Sequence, residues 1–466
     1  MKPSKRTLYE YLEEYAGERG EERFLFDEET AYSAEEALRI SRGLAAQMAD
    51  KGVKSGLKVG VKATRTVKTI LAFYALQFLG AVAVMHDPRE PLSERIRVED
   101  GKIIADGRAE ELSFAPRGSF GREFAGDSES GSITIFTSGS TGESKSVVLS
   151  QYNFINNSLD TSEIGGYRED DVNILIVPLH HVFGLALIVT AAVTKHAVFV
   201  PRTVDTEYIA DCMIKYGATR LNGVPSLYLS LANSPRAKEI KSLRCGLIGG
   251  APCGAEQFSR IEKNLKITLV PVYGMSECVA ISCGDYRDPP EKRRDNVGKV
   301  YSMNEVRILS DGEICVRSPA QALCYGDGER VADADGWLHT GDLGHFDEEG
   351  YLHVDGRKKD IIIRNGNNLS PTKIENALIS LGGVEGAAVV GVKDEFVGEV
   401  PCAMVVLKAG ESRTAEEIRS ELKTRLTKIE LPVQIEFAER LPLTSTGKPD
   451  KEKIKKFFAG AGERRY

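Results

Sequence analysis

Residues 137–146 read Thr-Ser-Gly-Ser-Thr-Gly-Glu-Ser-Lys-Ser, between the apolar runs Ile133-Thr134-Ile135-Phe136 and Val147-Val148-Leu149. A short loop of Gly, Ser and Thr ending in a lysine offers N–H groups, hydroxyls and a cation to an anion, which is how a backbone wraps phosphate. The nearest general pattern is the P-loop, G-x-x-x-x-G-K-[ST]. Counted from Gly139, its second required glycine falls on Ser144. That glycine turns the backbone onto the phosphates. A P-loop also runs into a helix, whereas the residues after Lys145 read as a strand. The P-loop reading therefore fails. A hairpin turn without a ligand remains as the alternative, although a tight turn needs only two such residues and has no use for the hydroxyls and the lysine.

Outward from this loop, strands alternate with helices. Ser33-Ala34-Glu35-Glu36 is a capping box before apolar positions at helical spacing, and Gly52 stops that helix. A strand around Val59-Gly60-Val61, a helix over 67–79 and a strand over 81–85 follow. Beyond the loop come strands over 172–177, 197–200, 220–222, 245–248 and 267–270, with helices over 185–193 and 208–216. Such alternation predicts parallel sheets covered on both faces, with functional loops at the carboxyl ends of the strands. From about Val297 short strands (305–308, 312–317, 351–354) separated by Asp-Gly and Glu-Gly turns predict an antiparallel β unit. After the charged turn 356–360 a smaller α/β pattern begins, with helices over 371–381 and 415–427 and strands over 386–392 and 403–407. The reading is an α/β protein with an N-terminal domain over 1–358 and a small C-terminal domain over 359–466.

The 466 residues carry a net charge of -7, with 42% hydrophobic and 28% charged residues. An acidic balance argues against nucleic acid as the partner. The one dense basic run, 451–456, is interrupted by Glu452 and reads as a solvated helix face. Eight cysteines without a CxxC suit reduced thiols in the cytoplasm. No apolar segment follows the basic N-terminus as a signal peptide requires, and the longest apolar stretch, 70–85, is too short for a membrane span.

The loop resembles the signature T-S-G-S-T-G-x-x-K of the adenylate-forming (AMP-binding) enzymes, which comprise acyl- and aryl-CoA synthetases, peptide-synthetase adenylation domains and luciferases. Further motifs of that family follow in order. They are Pro178-Leu179-His180-His181-Val182-Phe183-Gly184, Gly249-Gly250-Ala251-Pro252, Tyr273-Gly274-Met275-Ser276-Glu277, His339-Thr340-Gly341-Asp342, Gly356-Arg357-Lys358-Lys359-Asp360 and Leu441-Pro442-Leu443-Thr444-Ser445-Thr446-Gly447-Lys448. Before the loop, 87–96 fits a further element. The resemblance covers nearly the whole chain.

It implies an acid–thiol ligase that makes acyl-AMP from ATP and a carboxylic acid, releases pyrophosphate, and transfers the acyl group to coenzyme A. Thr137, Ser138, Gly139, Ser140, Thr141, Gly142 and Lys145 would hold the β- and γ-phosphates. Glu277 would hold Mg²⁺, a hard oxygen ligand for a hard ion, and Ser276 would donate to the α-phosphate. Asp342 would accept from the ribose hydroxyls, Arg357 would donate to ribose or phosphate, and Tyr273 would stack on adenine beside Gly249, Gly250 and Ala251. Lys448 would bridge the substrate carboxylate and the α-phosphate as a point charge, and Lys359 would be the pivot of the C-terminal domain. The loop around Gly366 would replace the Lys448 loop for the second half-reaction.

His181, Phe183, Val224, Gly274 and Cys278 would line the acyl pocket, with His181 also at the reacting end. Without the family reading, His181 is a packed loop histidine. A metal reading of His180-His181 fails, because adjacent residues on an extended segment point to opposite sides and the other histidines lack ligand spacing. Amino-acid-activating members place an aspartate in this segment, and 177–194 has none. A buried ammonium without a partner is costly, so the substrate is expected to be a fatty or aryl acid.

Ser144 and Ser146 stand where the family usually has Pro and Gly, Cys324 where it has Gly, and Lys373 where it has Glu. Residues 97–131 are shorter than the family norm, so one sheet is expected to lack a strand and to leave an edge where a second subunit would dock. The other acceptor is an acyl carrier protein, whose ligases usually bear an insertion that is not seen around 355–374. A relative that only binds nucleotide or acyl groups is opposed by the intact Lys145, Glu277, Asp342, Arg357 and Lys448.

Overall fold

A computed structural model describes residues 1–116, 127–137, 145–443 and 449–462. The strands among them form four sheets. The largest runs in the order Lys299–Val300, Cys278–Cys283, Thr268–Met275, Cys245–Ile248, Arg220–Leu221, Val172–Ile174, Ala197–Phe199, Arg23–Phe26, Ala31–Ser33. Its central six strands are parallel and its ends antiparallel. The second runs Cys324–Tyr325, Lys145–Ser150, Gly131–Thr137, Val82–His86, Lys58–Lys62, Ile96–Glu99, Lys102–Ala105, Arg108–Glu111. Helices Val67–Phe78 and Val182–Thr194 contribute to the large core that joins these two sheets. Both are apolar nearly all round, as a helix covered on every side must be.

The capping box at Ser33 forms, opening helix Ala34–Asp50. Strands at 58–62, 82–86 and 245–248 and helices at 67–78 and 206–216 lie where the hydrophobic pattern puts them. The strand expected over 172–177 stops at Ile174, after which Leu175 and Ile176 stay buried, with one further bond from the Leu175 amide to the Phe199 carbonyl at 2.9 Å. A third sheet is antiparallel, in the order Glu305–Ile308, Glu313–Arg317, Leu338–Phe346, Leu352–Arg357. Its strand Leu338–Phe346 was absent from the sequence reading, because His339, Gly341, Asp342 and Gly344 break the apolar alternation.

The expected gap in the second sheet is not there. Residues 96–111 form a three-strand antiparallel meander that extends it. Each turn is an Asp-Gly pair with positive φ at both residues, at Asp100-Gly101 (51° and 82°) and Asp106-Gly107 (50° and 77°). These are the turns whose twist suits a two-residue hairpin. The outermost strand, Arg108–Glu111, is exposed throughout and carries Arg108, Glu110 and Glu111, a charged edge that opposes strand addition.

The fourth sheet belongs to the C-terminal region: Asn367–Leu369, Ile362–Arg364, Gly398–Leu407 and Val384–Asp394, with Gln434–Phe437 beside Gly398–Leu407. Helices Pro371–Ile379 and Ala415–Leu422 close its own apolar core on one side. Among the described residues no helix is long and apolar enough to cross a membrane.

Candidate active site

Strands Gly131–Thr137 and Lys145–Ser150 pair antiparallel, with Thr137 opposite Lys145. Strand Gly131–Thr137 also runs parallel to Val82–His86. The Thr137 hydroxyl donates to the Lys145 carbonyl at 3.1 Å. Lys145 therefore opens a strand, which removes the P-loop on structural grounds as well. Its ammonium lies 5.1 Å from the centre of the Tyr325 ring, within cation–π range. Ser138, Gly139, Ser140, Thr141 and Gly142 lie outside the described residues, as does Lys448.

Gly249, Gly250 and Ala251 follow strand Cys245–Ile248. A Cβ on Gly249 would sit 2.7 Å from the carbonyl oxygen of Val272, so only glycine lets this backbone lie against the strand that carries Tyr273. The Tyr273 hydroxyl donates to Asp342 Oδ2 at 2.7 Å, and Arg357 Nε lies 3.3 Å from Asp342 Oδ1. Asp342 and Arg357 are cross-strand neighbours. Thr340 helps set the geometry, its hydroxyl donating to the Ile314 carbonyl at 2.8 Å and accepting from the Asp342 amide at 3.1 Å. Burial and the adjacent Asp342 carboxylate push the Tyr273 phenol well above its ordinary range, so it remains a donor. Replacing Asp342 with Asn should weaken ATP binding about ten- to a hundredfold, since a hydrogen bond to a charged group is worth about 1.5–3 kcal/mol. Calorimetric titration with ATP checks this, and a change below about twofold would remove Asp342 from the site.

Ser276 and Glu277 form the turn between strands Thr268–Met275 and Cys278–Cys283, with Met275 opposite Cys278. A Cβ on Gly274 would come 2.3 Å from the Val279 carbonyl oxygen, so the hairpin closes this tightly only over glycine. The Glu277 carboxyl is pushed up by burial, against the pull of its own backbone N–H and of Arg357. Among the described residues no cluster of three His, Cys, Asp or Glu could hold a metal. A single half-buried carboxylate fits Mg²⁺ held mainly by substrate phosphates and water. It does not fit an all-protein metal cage.

His181 is the N-cap of helix Val182–Thr194 and makes no side-chain capping bond. The two histidines do not point apart as expected, because their ring centres are 4.4 Å apart. The segment is a turn, with the His181 amide on the Pro178 carbonyl at 3.3 Å, and a turn lacks the alternation of a strand. His180 Nε2 is 3.6 Å from Asp87 Oδ2, and Arg89 Nε donates to the same carboxylate at 2.9 Å to Oδ1. Sequence reading missed this cluster because its members lie some ninety positions apart.

Phe183 is half-buried and packs against both the main core and a smaller cluster containing Leu247 and Ala280. Val224 precedes helix Pro225–Asn233, and its Cγ1 lies 3.4 Å from where a Gly250 Cβ would be. Cys278 is fully buried, its thiol pushed up to about 12 by burial. Adenine-wall and acyl-wall candidates thus adjoin at Gly250 and Val224.

Lys359 is exposed in the 3₁₀ turn Lys358–Asp360 that follows Arg357. The neighbouring Lys358 Nζ is bonded to Asp311 at 2.7 Å and Glu313 at 3.0 Å. A cavity of about 960 Å³ opens there, between Asp311, Leu343 and Lys359 on one side and Ile363, Asn368 and Lys393 on the other. Asn365-Gly366, with φ of 50° and 73°, turns the chain between Ile362–Arg364 and Asn367–Leu369. Leu443 and Pro449 bridge to each other across the segment that holds Lys448.

Residues 95–326 match the family model described as AMP-binding enzyme, and residues 373–448 match that of the AMP-binding enzyme C-terminal domain. A 2-succinylbenzoate–CoA ligase of Bacillus cereus (strain Q1) is 33% identical over 425 residues, covering 85% of this chain and 88% of its own. The ATP-bound MatB structure from Rhodopseudomonas palustris aligns with a TM-score of 0.86 at 23% identity, covering 98% of this chain and 100% of that one. The o-succinylbenzoate CoA synthetase of Bacillus subtilis, in complex with the acyl-adenylate intermediate OSB-AMP, gives 0.81 at 23% identity, with 97% and 98% covered. At these identities the structural likeness speaks for the fold alone.

Proposed function

The chain belongs to the AMP-binding enzyme family, and we propose that it activates an aryl carboxylic acid of the 2-succinylbenzoate class at the site around Asp342, Tyr273 and Glu277. It is an AMP-forming acid–CoA ligase. A carboxylate oxygen attacks the α-phosphorus of ATP, the bond to pyrophosphate breaks, and the CoA thiolate then displaces AMP from the acyl carbon.

The observation that most supports the site is the meeting of Asp342, Tyr273 and Arg357, residues from three separate strands. A carboxylate flanked by a phenol donor and a guanidinium can accept two vicinal hydroxyls while the guanidinium faces phosphate. Asp342 takes the ribose, Tyr273 packs on adenine against the Gly249–Ala251 backbone, and Arg357 faces the ribose–phosphate junction. Ser276 donates to the α-phosphate. Thr137 to Gly142 and Lys145 hold the outer phosphates. Glu277 is the protein's ligand to Mg²⁺, which when bound screens the phosphate charge that would repel the incoming carboxylate. His181, Phe183, Val224, Gly274 and Cys278 form the acyl wall. The name of the Bacillus cereus relative supports an aryl acid, and eight unpaired cysteines support a reducing, cytoplasmic setting.

The small domain from Lys359 onward pivots at that residue and brings Lys448 to the α-phosphate for the first half-reaction. Carboxylate-dependent ATP–pyrophosphate exchange over a panel of aryl, fatty and amino acids, with and without CoA, tests the reading. Exchange should appear with aryl acids without CoA, and thioester only with it. No exchange with any acid would overturn the proposal.

A further inference from the structure

Residues Thr340, Gly341 and Asp342 leave the regular ladder of the third sheet. Glu313 pairs with Leu343 and Cys315 with His339, so three residues of strand Leu338–Phe346 oppose Ile314 alone. A bulge of this kind takes backbone N–H groups out of the ladder, and such groups need other acceptors. Two side chains supply them. The Thr340 hydroxyl oxygen accepts from the Asp342 amide at 3.1 Å, and Glu313 Oε1 accepts from the Gly341 amide at 3.1 Å. Gly341 has a φ of 71°, a left-handed conformation that glycine adopts without strain. The direction in which Asp342 leaves the bulge is therefore set by two consecutive amides, one of them held by Glu313.

The other oxygen of the same carboxylate reaches the turn that carries Lys359. Glu313 Oε2 accepts from Lys358 Nζ at 3.0 Å, and Lys358 stands between Arg357 and Lys359. His339 Nδ1 lies 3.5 Å from that oxygen and 3.5 Å from the Cys315 sulfur. The Glu313 side chain is only 8% exposed, whereas that of Lys358 is 50% exposed. Burial opposes the Glu313 charge, and Lys358, the Gly341 amide and His339 together outweigh it, leaving the carboxyl below its ordinary range. A buried carboxylate held at both oxygens is fixed in orientation. Released at one of them, it is left partly unpaired in a low-dielectric setting and has to reorient.

We infer that Glu313 is a positioning residue that couples the hinge turn to the ribose subsite: Lys358 holds its carboxylate in the orientation that fixes Gly341 and aims Asp342. This rests on the placement of ribose at Asp342 and of the pivot at Lys359 proposed above. When the turn rearranges and Lys358 withdraws, the hold on Gly341 slackens and nucleotide binds less tightly. Coupling between two sites is reciprocal, so bound ATP in turn favours the arrangement in which Lys358 meets Glu313. The nucleotide is gripped while the turn keeps this arrangement and loosened once it moves.

Calorimetric titration of the full chain with ATP and with 2′,3′-dideoxy-ATP reads this coupling, because the second nucleotide lacks both hydroxyls assigned to Asp342. Glu313→Gln still accepts from Gly341 but meets Lys358 donor to donor, and Lys358→Met removes the cation from the exposed side. Each should weaken ATP about three- to tenfold and leave the dideoxy nucleotide within about twofold. The double variant should bind ATP within about twofold of either single one, since both remove the same link. Asp311→Asn leaves the Lys358–Glu313 pair in place and should change neither nucleotide by more than about twofold. Losses that add in the double variant, or that are equal for the two nucleotides, would overturn the inference and leave Glu313 as a stabiliser of its hairpin. So would unchanged ATP binding in Lys358→Met, a surface substitution that decides the matter without the buried glutamine. A parent that binds the two nucleotides alike would remove ribose from Asp342, and the inference falls with it.

Discussion

Replacing Lys448 with alanine is expected to cut acyl-AMP formation about a hundred- to a thousandfold, the scale on which one preorganised charge-stabilising donor acts. Two anions must meet in this step, and Lys448 is the only cation proposed to touch both. Thioester formation from presynthesised acyl-AMP and CoA has no such encounter and should stay within about threefold, because a group that acts in one transition state lowers only that rate. Single-turnover assays of each half-reaction provide the check. Equal losses in the two would mean that Lys448 supports the fold or binds both states alike. Flanking Lys448, Leu443 bridges antiparallel to Pro449 and the Asp450 amide donates to the Pro442 carbonyl at 2.8 Å.

Lys359→Pro should do the reverse. Proline fixes φ near about −65° and restricts the residue before it, so the turn Lys358–Asp360 loses one of the two arrangements a pivot needs. Adenylate formation should persist within about tenfold while thioester synthesis falls on the order of a hundredfold, the cost of misplacing a reacting group by about an ångström. Normal thioester synthesis would dismiss Lys359 as the pivot. The ion pairs of Lys358 with Asp311 and Glu313 make the result easier to read, since they hold the large-domain side of the turn in place. Lys359 itself is exposed and free to change its backbone angles at little packing cost.

Much of this architecture was legible because a few rules are strong. The hydrophobic period placed the parallel strands and the buried helices, and strand signals on both sides of 137–146 distinguish the loop from a P-loop. Other features depend on contacts no local pattern encodes. Strand Leu338–Phe346 owes its conformation to partners on both sides, and those partnerships overcome its polar and glycine-rich sequence. The 96–111 meander carries a signal in its two Asp-Gly turns, but its strands are short and largely polar, so the apolar alternation that marks a strand is weak there. The His180–His181 contact needed knowledge of a turn.

Strand Arg23–Phe26 pairs directly with Ala197–Phe199, which has a consequence during synthesis. At about 5–20 residues per second, the ribosome takes on the order of ten seconds or more to deliver the partner after the first strand has emerged. Until then the nascent chain carries an unpaired edge, and the apolar helix Val67–Phe78 lacks the cover that Val182–Thr194 later brings. Closing so long a loop is slow, and both exposed features favour chaperone capture over spontaneous closure. The large sheet is therefore finished late, and a chain arrested before Phe199 is the form most prone to aggregate.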